Sequence, residues 1–124
     1  MSQRLAQFRA FREKMNARIL EEKNLQINRF FTLDGQAYEA KALDALTKEL
    51  AGLSASMVLR CDDCIAYHLI RCKELGATRA QLFEIMNVGL IVGGSIVIPH
   101  LRRAVELLDE LESDGGDQTA AADG

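Results

Sequence analysis

The sequence has very little proline, the residue that breaks helices most strongly: its 124 residues include only Pro99. Runs of β-branched residues are few outside residues 88–98. Apolar residues instead recur with the period of about 3.6 residues that places them on one face of a helix. The composition, with 48% hydrophobic and 27% charged residues, is typical of a folded domain and excludes a disordered chain. At this length we expect a single all-α domain, a helical bundle with one core.

Long hydrophobic runs are also missing. The longest, Val88–Ile98, is interrupted by Gly93, Gly94 and Ser95 and is too short to span a bilayer. Residues 1–20 contain no continuous hydrophobic segment and include Glu13, so they resemble neither a secretory signal nor an acid-free transit peptide. We therefore expect a cytoplasmic protein with no membrane partner.

An excess of positive charge is absent as well. The sequence has 15 lysines and arginines against 18 aspartates and glutamates, a formal net charge of -3. Proteins that bind nucleic acid through its phosphates carry a basic surface, so this balance gives no reason to propose such a partner. We expect no nucleic-acid partner.

Turn and capping residues divide the chain into segments. Thr32, Asp34 and Gly35 are turn or N-cap types and predict a connection over residues 30–36. Thr78 and Gln81 form a capping box, and Gly76 fits the left-handed position after a helix end. The helices predicted in this way cover residues 3–23, 36–59, 62–75, 79–92 and 99–111.

The end of the chain has a different composition. Residues 113–124 (SDGGDQTAAADG) lack apolar periodicity, and we expect a disordered tail there. The predicted domain covers residues 1–112. Its apolar stretch Val88–Ile98 and amphipathic first helix offer more apolar surface than a monomer of this size leaves uncovered, which predicts a homo-oligomer.

The segment with the clearest chemistry has the pattern C-x-x-C-x-x-x-H, formed by Cys61, Cys64 and His68. On one helix these residues share a face, because each residue adds about 100°. Cysteines at i and i+3 have Cα atoms within the range that a disulfide allows. His68, one turn beyond Cys64, is placed to accept the thiol's proton or to stabilise the thiolate. The pattern predicts a dithiol that cycles with a disulfide.

Other interpretations of these residues stay open. Three of Cys61, Cys64, His68 and Cys72, with a water molecule, are a possible zinc ligand set, but one helix cannot bring all four to a single ion. Two buried cysteines with a core histidine would be purely structural, and Cys72 alone is typical of a small core residue. Asp62 and Asp63 suit the first turn of a helix; they raise the pKa of nearby thiols, whereas the helix N-terminus lowers it.

Glu49 extends the pattern to E-x11-C-x-x-C-x-x-x-H, followed by an apolar helix, a Gly-Ala-Thr turn and an apolar Gly-Gly segment. Over about residues 42–108 the sequence resembles the alkylhydroperoxidase D-like branch of the carboxymuconolactone decarboxylase superfamily. The resemblance implies an all-helical fold, trimers or hexamers, and thiol peroxidase or disulfide reductase activity. By position it implies that Cys64 is the attacking thiol, Cys61 the resolving thiol, and Glu49 with His68 the proton relay.

The activity predicted from these residues is the reduction of a hydroperoxide by the Cys61/Cys64 dithiol. An external dithiol, from a protein or a lipoyl group, would regenerate the pair, and no metal or organic cofactor is needed. The alternatives are a disulfide reductase acting on a protein or lipoyl partner, and a non-catalytic oligomeric module that could bind zinc. His100, next to Pro99, could line the same pocket from another segment or serve a structural role.

Glu49 can approach His68 only if the chain reverses direction between Leu59 and Asp62. No glycine or proline marks a turn there. The predicted contact between Glu49 and His68 therefore requires a turn for which the sequence has no glycine or proline signal.

Overall fold

The protein folds into six α-helices and one short 3-10 turn. These are seen in a computed structural model that describes residues 3–123, with side chains described for residues 3–113. No strand occurs in this part of the chain, so the predicted all-α fold is confirmed. The elements are α1 (Gln3–Glu21), α2 (Leu25–Ala37), α3 (Ala45–Leu59), α4 (Asp62–Glu74), α5 (Arg79–Gly93), the 3-10 turn (Ser95–Val97) and α6 (Ile98–Asp123).

The core lies where α3 packs against α4 and α5, with α6 closing it on the side of α4. Leu53 and Met57 of α3, Leu69 of α4 and Leu82 of α5 are almost completely buried there. Burying an apolar side chain of this size contributes about 1.5–3 kcal/mol relative to leaving it exposed. α1 joins through Leu5 and through Arg4, which donates to the main-chain oxygen of Arg103 over 2.8 Å.

Several helix ends follow the predicted signals. Thr78 and Gln81 form the predicted capping box at the start of α5. α4 ends before Gly76, whose φ of +92° is the left-handed conformation expected of a glycine after a helix. These boundaries could be predicted because local hydrogen bonds and backbone conformation determine them.

The predicted connection over residues 30–36 is wrong, because these residues lie inside α2. Asn24 caps this helix by accepting the N–H of Ile27 over 3.1 Å, and the Thr32 hydroxyl donates to the main-chain oxygen of Asn28 over 3.1 Å. The helix predicted to begin at residue 36 begins at Ala45 instead, after the N-cap Asp44. Thr32 thus forms its hydrogen bond within a helix instead of ending one.

The reversal required between Leu59 and Asp62 occurs at Arg60. This residue has a φ of +60°, a left-handed conformation that is uncommon for a residue other than glycine. The N–H of Arg60 donates to the oxygen of Met57, and the N–H of Cys61 donates to the oxygen of Ser56. This hydrogen-bonded end of α3 turns the chain so that α4 folds back along α3.

The last helix begins at Ile98, with Pro99 in its first turn as predicted. It continues to Asp123, through the segment predicted to be a disordered tail. Side chains from residue 114 onward and all of residue 124 lie outside the described residues, and disorder of residues 113–124 stays a prediction. In the described part of the chain no helix is long and apolar enough to span a membrane.

Candidate active site

Two cysteines meet at the beginning of α4. Cys61 is the N-cap, and its sulfur accepts the main-chain N–H of Cys64 over 3.4 Å. The two sulfur atoms are 2.7 Å apart in the reduced side chains. Cys61 is half-buried and Cys64 is exposed, whereas Cys72 is completely buried further along the same helix. The positive end of the helix dipole therefore lies beside both sulfur atoms of the pair.

The surroundings of Cys64 oppose its ionisation. They raise its pKa to about 11, first through the hydrogen bond with Cys61, then through partial burial and the negative charges of Cys61, Asp63 and Asp34. Burial raises the pKa of Cys72 to about 12, and the charge of Glu49 adds to this. Because the thiolate is the reactive form of cysteine, a Cys64 that reacts at neutral pH needs a group to accept its proton.

Glu49 and His68 form a buried pair between α3 and α4. Nδ1 of His68 is 2.7 Å from Oε1 of Glu49, and Glu49 is only 2% exposed. The other carboxylate oxygen, Oε2, lies 3.7 Å from Nε of Arg71, so a cation compensates part of the buried negative charge. Because a carboxylate only accepts hydrogen bonds, Nδ1–H donates to Glu49, and Nε2 is the ring nitrogen that Glu49 does not contact.

Gly52 lets the imidazole lie against α3. It is three residues after Glu49, on the same side of the helix, and a Cβ atom there would be 2.7 Å from Cε1 and 2.9 Å from Nε2 of His68. Carbon atoms do not approach one another that closely without displacement. The spacing of Glu49 and Gly52 therefore belongs to the same local arrangement: one residue binds the ring and the other makes room for it.

Two tyrosines that the sequence analysis missed surround the histidine. The hydroxyl of Tyr38 is 3.5 Å from Nε2 of His68, and the ring centroids are 5.4 Å apart. The ring of Tyr67 meets His68 edge-on at 5.2 Å, and the Arg12 guanidinium lies 4.3 Å from the centre of the Tyr67 ring. Tyr67 lies within the C-x-x-C-x-x-x-H segment, which was a usable signal, whereas Tyr38 follows the unpredicted helix α2 and had none.

A pocket of about 430 Å³ opens beside Cys64. Apolar side chains of α1 form one side of it, and polar or charged groups of α1, α2 and α4 contribute to the rest. The apolar residues are Phe8, Phe11, Met15 and Ile19; the others are Arg12, Asn16, Asp34, Asp63, Cys64, Tyr67 and His68. An apolar molecule with one polar reacting group can therefore reach the exposed sulfur and the histidine from the same space.

The remaining candidate residues lie next to the cysteine pair. Nδ1 of His100 is 2.8 Å from Oδ1 of Asp62, and Arg103 reaches Oδ2 of the same carboxylate over 3.4 Å. His100 thus approaches the segment from α6 and contacts Asp62 instead of a cysteine. Among the described residues no three histidine, cysteine or acidic side chains converge as metal ligands. The zinc ligand set considered from the sequence has no counterpart in this part of the chain.

A sequence model of the carboxymuconolactone decarboxylase family matches residues 27–107. A crystal structure from Thermotoga maritima, 50% identical, covers 90% of this chain and 97% of its own, with a TM-score of 0.87. A second structure of that protein (49% identity, 90% and 95% coverage, TM-score 0.86) is described as a family member for which an involvement in an antioxidative response has been suggested.

The similarity also extends to more distant relatives. A carboxymuconolactone decarboxylase family protein from Legionella pneumophila is 25% identical, covers 86% of this chain and 96% of its own, and has a TM-score of 0.79. An uncharacterised protein of Cupriavidus necator is 28% identical over 109 residues, 76% of this chain and 96% of that protein. The similarity therefore extends over nearly the whole length of these relatives.

Proposed function

The chain belongs to the carboxymuconolactone decarboxylase family, and from this premise we propose that it is a thiol peroxidase that reduces hydroperoxides with Cys61 and Cys64. The observation that carries the proposal is the 2.7 Å separation of the two sulfur atoms beside the pocket. The antioxidative response suggested for the Thermotoga relative points in the same direction.

The proposed reaction has three steps. The Cys64 thiolate attacks one peroxide oxygen, so that an S–O bond forms, the O–O bond breaks and an alcohol leaves after taking up a proton. Cys61 then attacks the Cys64 sulfenic acid, which forms the S–S bond and releases water. An external dithiol, from a protein or a lipoyl group, returns two electrons by thiol–disulfide exchange.

Exposure and main-chain hydrogen bonding favour different sulfur atoms for the first attack. Cys64 is exposed and lines the pocket, whereas Cys61 receives the N–H of Cys64 at the helix N-terminus. We assign the attack to Cys64, because a hydroperoxide must first reach the sulfur. The high pKa of Cys64, about 11, then gives the buried Glu49–His68 pair its role: it accepts the thiol's proton.

The test is a thiol count after addition of hydroperoxides to the reduced protein. A panel that runs from hydrogen peroxide to bulky organic hydroperoxides should remove two thiols per chain, at rates far above that of a free thiol. The Cys64→Ser variant is the matched control and should lose the rapid reaction. A protein inert to the whole panel contradicts the peroxidase; turnover of a lipoyl or protein disulfide by that protein would identify the alternative, a disulfide reductase.

A homo-oligomer, trimeric or hexameric, is part of the proposal. Large apolar side chains are exposed on α2, on α5 and in the 3-10 turn: Phe30, Leu33, Ile91, Val92 and Ile96. Apolar surface of this extent is typical of interfaces between subunits. Sedimentation at micromolar concentration should detect trimers or hexamers, and a clean monomer would contradict this part of the proposal.

A further inference from the structure

Tyr38 occupies the side of His68 that faces away from Glu49. Glu49 accepts Nδ1–H, and the Tyr38 hydroxyl lies 3.5 Å from the other ring nitrogen, Nε2. When the ring is neutral and Nδ1 carries the hydrogen, Nε2 has the lone pair, and the hydroxyl of Tyr38 is then the donor in this contact. The imidazole is therefore held from both sides, by a carboxylate and by a phenol.

The main chain around Tyr38 is held in place. Nζ of Lys48, on α3, donates to the oxygen of Ala37 over 2.9 Å and to the oxygen of Glu39 over 2.7 Å. These two carbonyls flank Tyr38. A single cation on α3 thus fixes the loop on both sides of the phenol, and α3 also carries Glu49, the other partner of the imidazole.

The phenol also interacts electrostatically with Cys64, the group that must lose a proton to His68. In the described part of the chain Cys64 and His68 make no direct hydrogen bond, although both line the pocket. The pKa of Tyr38 is raised, first by burial and then by the charges of Asp34, Glu49, Tyr67 and Cys64. Tyr38 therefore keeps its proton at neutral pH, and its hydroxyl can donate one proton while it accepts another.

We propose that Tyr38 is the third member of the proton relay and connects Cys64 to His68. The inference rests on the proposed function, in which Cys64 must lose its proton. As the thiol proton moves to the phenol oxygen, the phenol proton moves to Nε2, which leaves a thiolate, a neutral tyrosine and an imidazolium bound to Glu49. The hydroxyl then bridges the two charges, accepting from Nε2–H and donating to the sulfur.

The test is the pH profile of Cys64 alkylation by iodoacetamide, located by fragment-ion mass spectrometry. Tyr38→Phe keeps the ring and removes the hydroxyl, so the midpoint should move upward and alkylation at neutral pH should fall about tenfold. Thr32→Val is the matched control, because it deletes a hydroxyl that donates within α2 to the main-chain oxygen of Asn28, and its profile should equal that of the unmodified protein. Lys48→Gln, which frees the loop and keeps Tyr38, should shift the profile in the same direction by less.

A double-mutant cycle separates the relay from packing. In a His68→Gln background the further change Tyr38→Phe should have no effect, because the relay is already broken. Additive losses, or an unchanged profile in Tyr38→Phe, would overturn the inference. A protein that ignores hydroperoxides but keeps the Tyr38-dependent midpoint would instead refute the proposed function and support the relay.

Discussion

The two sides of Cys64 have opposite physical character. On one side lie Glu49 and His68, called the relay pair after the role proposed for them, buried between α3 and α4 with a hydrogen bond of 2.7 Å. On the other side lies the outer layer, α1 and α2, in which Leu5 is the one buried residue described. The relay pair depends on atomic fit, whereas the outer layer contributes an open apolar wall and charges in contact with water.

This difference predicts how substitutions act in the two regions. A change at the relay pair should alter geometry in a low-dielectric environment, where a small displacement has a large effect on proton transfer. A change of charge in the outer layer acts through solvent and is screened by salt. Substitutions should therefore have large effects on the buried side and small, salt-dependent effects on the outer side.

The largest effects are expected from the cysteines, at the boundary between the two regions. Cys64→Ser should abolish the reaction with hydroperoxides, because it removes the exposed sulfur. In Cys61→Ser, Cys64 should react once and stop as a sulfenic acid, since the other thiol of the pair is missing and cannot displace water from it. Trapping with a dimedone-type reagent and mass spectrometry measures this. If the two variants showed each other's expected behaviour, the attacking sulfur would be that of Cys61.

Removing the charge of the relay pair should have the next largest effect. Glu49→Gln keeps the side-chain volume and an oxygen that can accept Nδ1–H, so the thermal midpoint should change little. Reactivity of Cys64 at neutral pH should fall by roughly 100-fold, the usual scale for losing a positioned base. Alkylation rates against pH check this. An unchanged profile in Glu49→Gln beside an altered one in His68→Asn would mean that the histidine acts without the carboxylate.

The fit of the relay pair can be changed without touching either partner. Gly52→Ala places a Cβ atom 2.7 Å from Cε1 of His68, so the ring must move away from Glu49. We expect a loss of Cys64 reactivity of about tenfold and of stability of about 1–3 kcal/mol. The matched control is Gly89→Ala, whose Cβ would lie 3.1 Å from that of Met57 and does not meet His68. Equal pH profiles in both variants would contradict the role of Gly52.

The smallest effect is expected in the outer layer. Asp34 is exposed on α2, and its charge contributes to the raised pKa of Cys64. Asp34→Asn should lower that pKa, so the thiolate fraction and the alkylation rate at neutral pH should rise by about 2–3-fold at low salt. The gain should fade when salt is added. A gain that persists at high salt, or a loss of reactivity, would contradict a screened charge effect.

Helix ends could be predicted where residues of the helix itself determine them, and less well where packing against other helices determines them. Thr78, Gln81 and Gly76 determine the ends of α5 and α4 by local hydrogen bonds and backbone conformation, and these predictions are confirmed. α2 was missed because the turn-type residues Thr32 and Gly35 lie inside a helix that no buried residue marks. The spacing of apolar residues does not identify a helix that has no buried face.

The candidate site could be predicted only in part, for a related reason. The C-x-x-C-x-x-x-H spacing and the position of Glu49 mark four of its residues in the sequence: Cys61, Cys64, His68 and Glu49. Their meeting depends on Arg60, whose left-handed conformation has no signal in the residue type. Tyr38 reaches His68 across the fold from a loop that Lys48 fixes. Contacts of this kind depend on how helices pack and cannot be seen in a local pattern.

Cys61 and Cys64 should form one redox unit that excludes Cys72. Trypsin cleavage after Arg60 and Arg71 leaves both members of the pair on one peptide and Cys72 on another. After one equivalent of hydroperoxide the first peptide should be lighter by two hydrogen atoms and resist alkylation, while Cys72, fully buried in the folded protein, should be alkylated once the protein is unfolded. A bridge that contains Cys72, or a first peptide that keeps both thiols, would contradict a redox unit of Cys61 and Cys64.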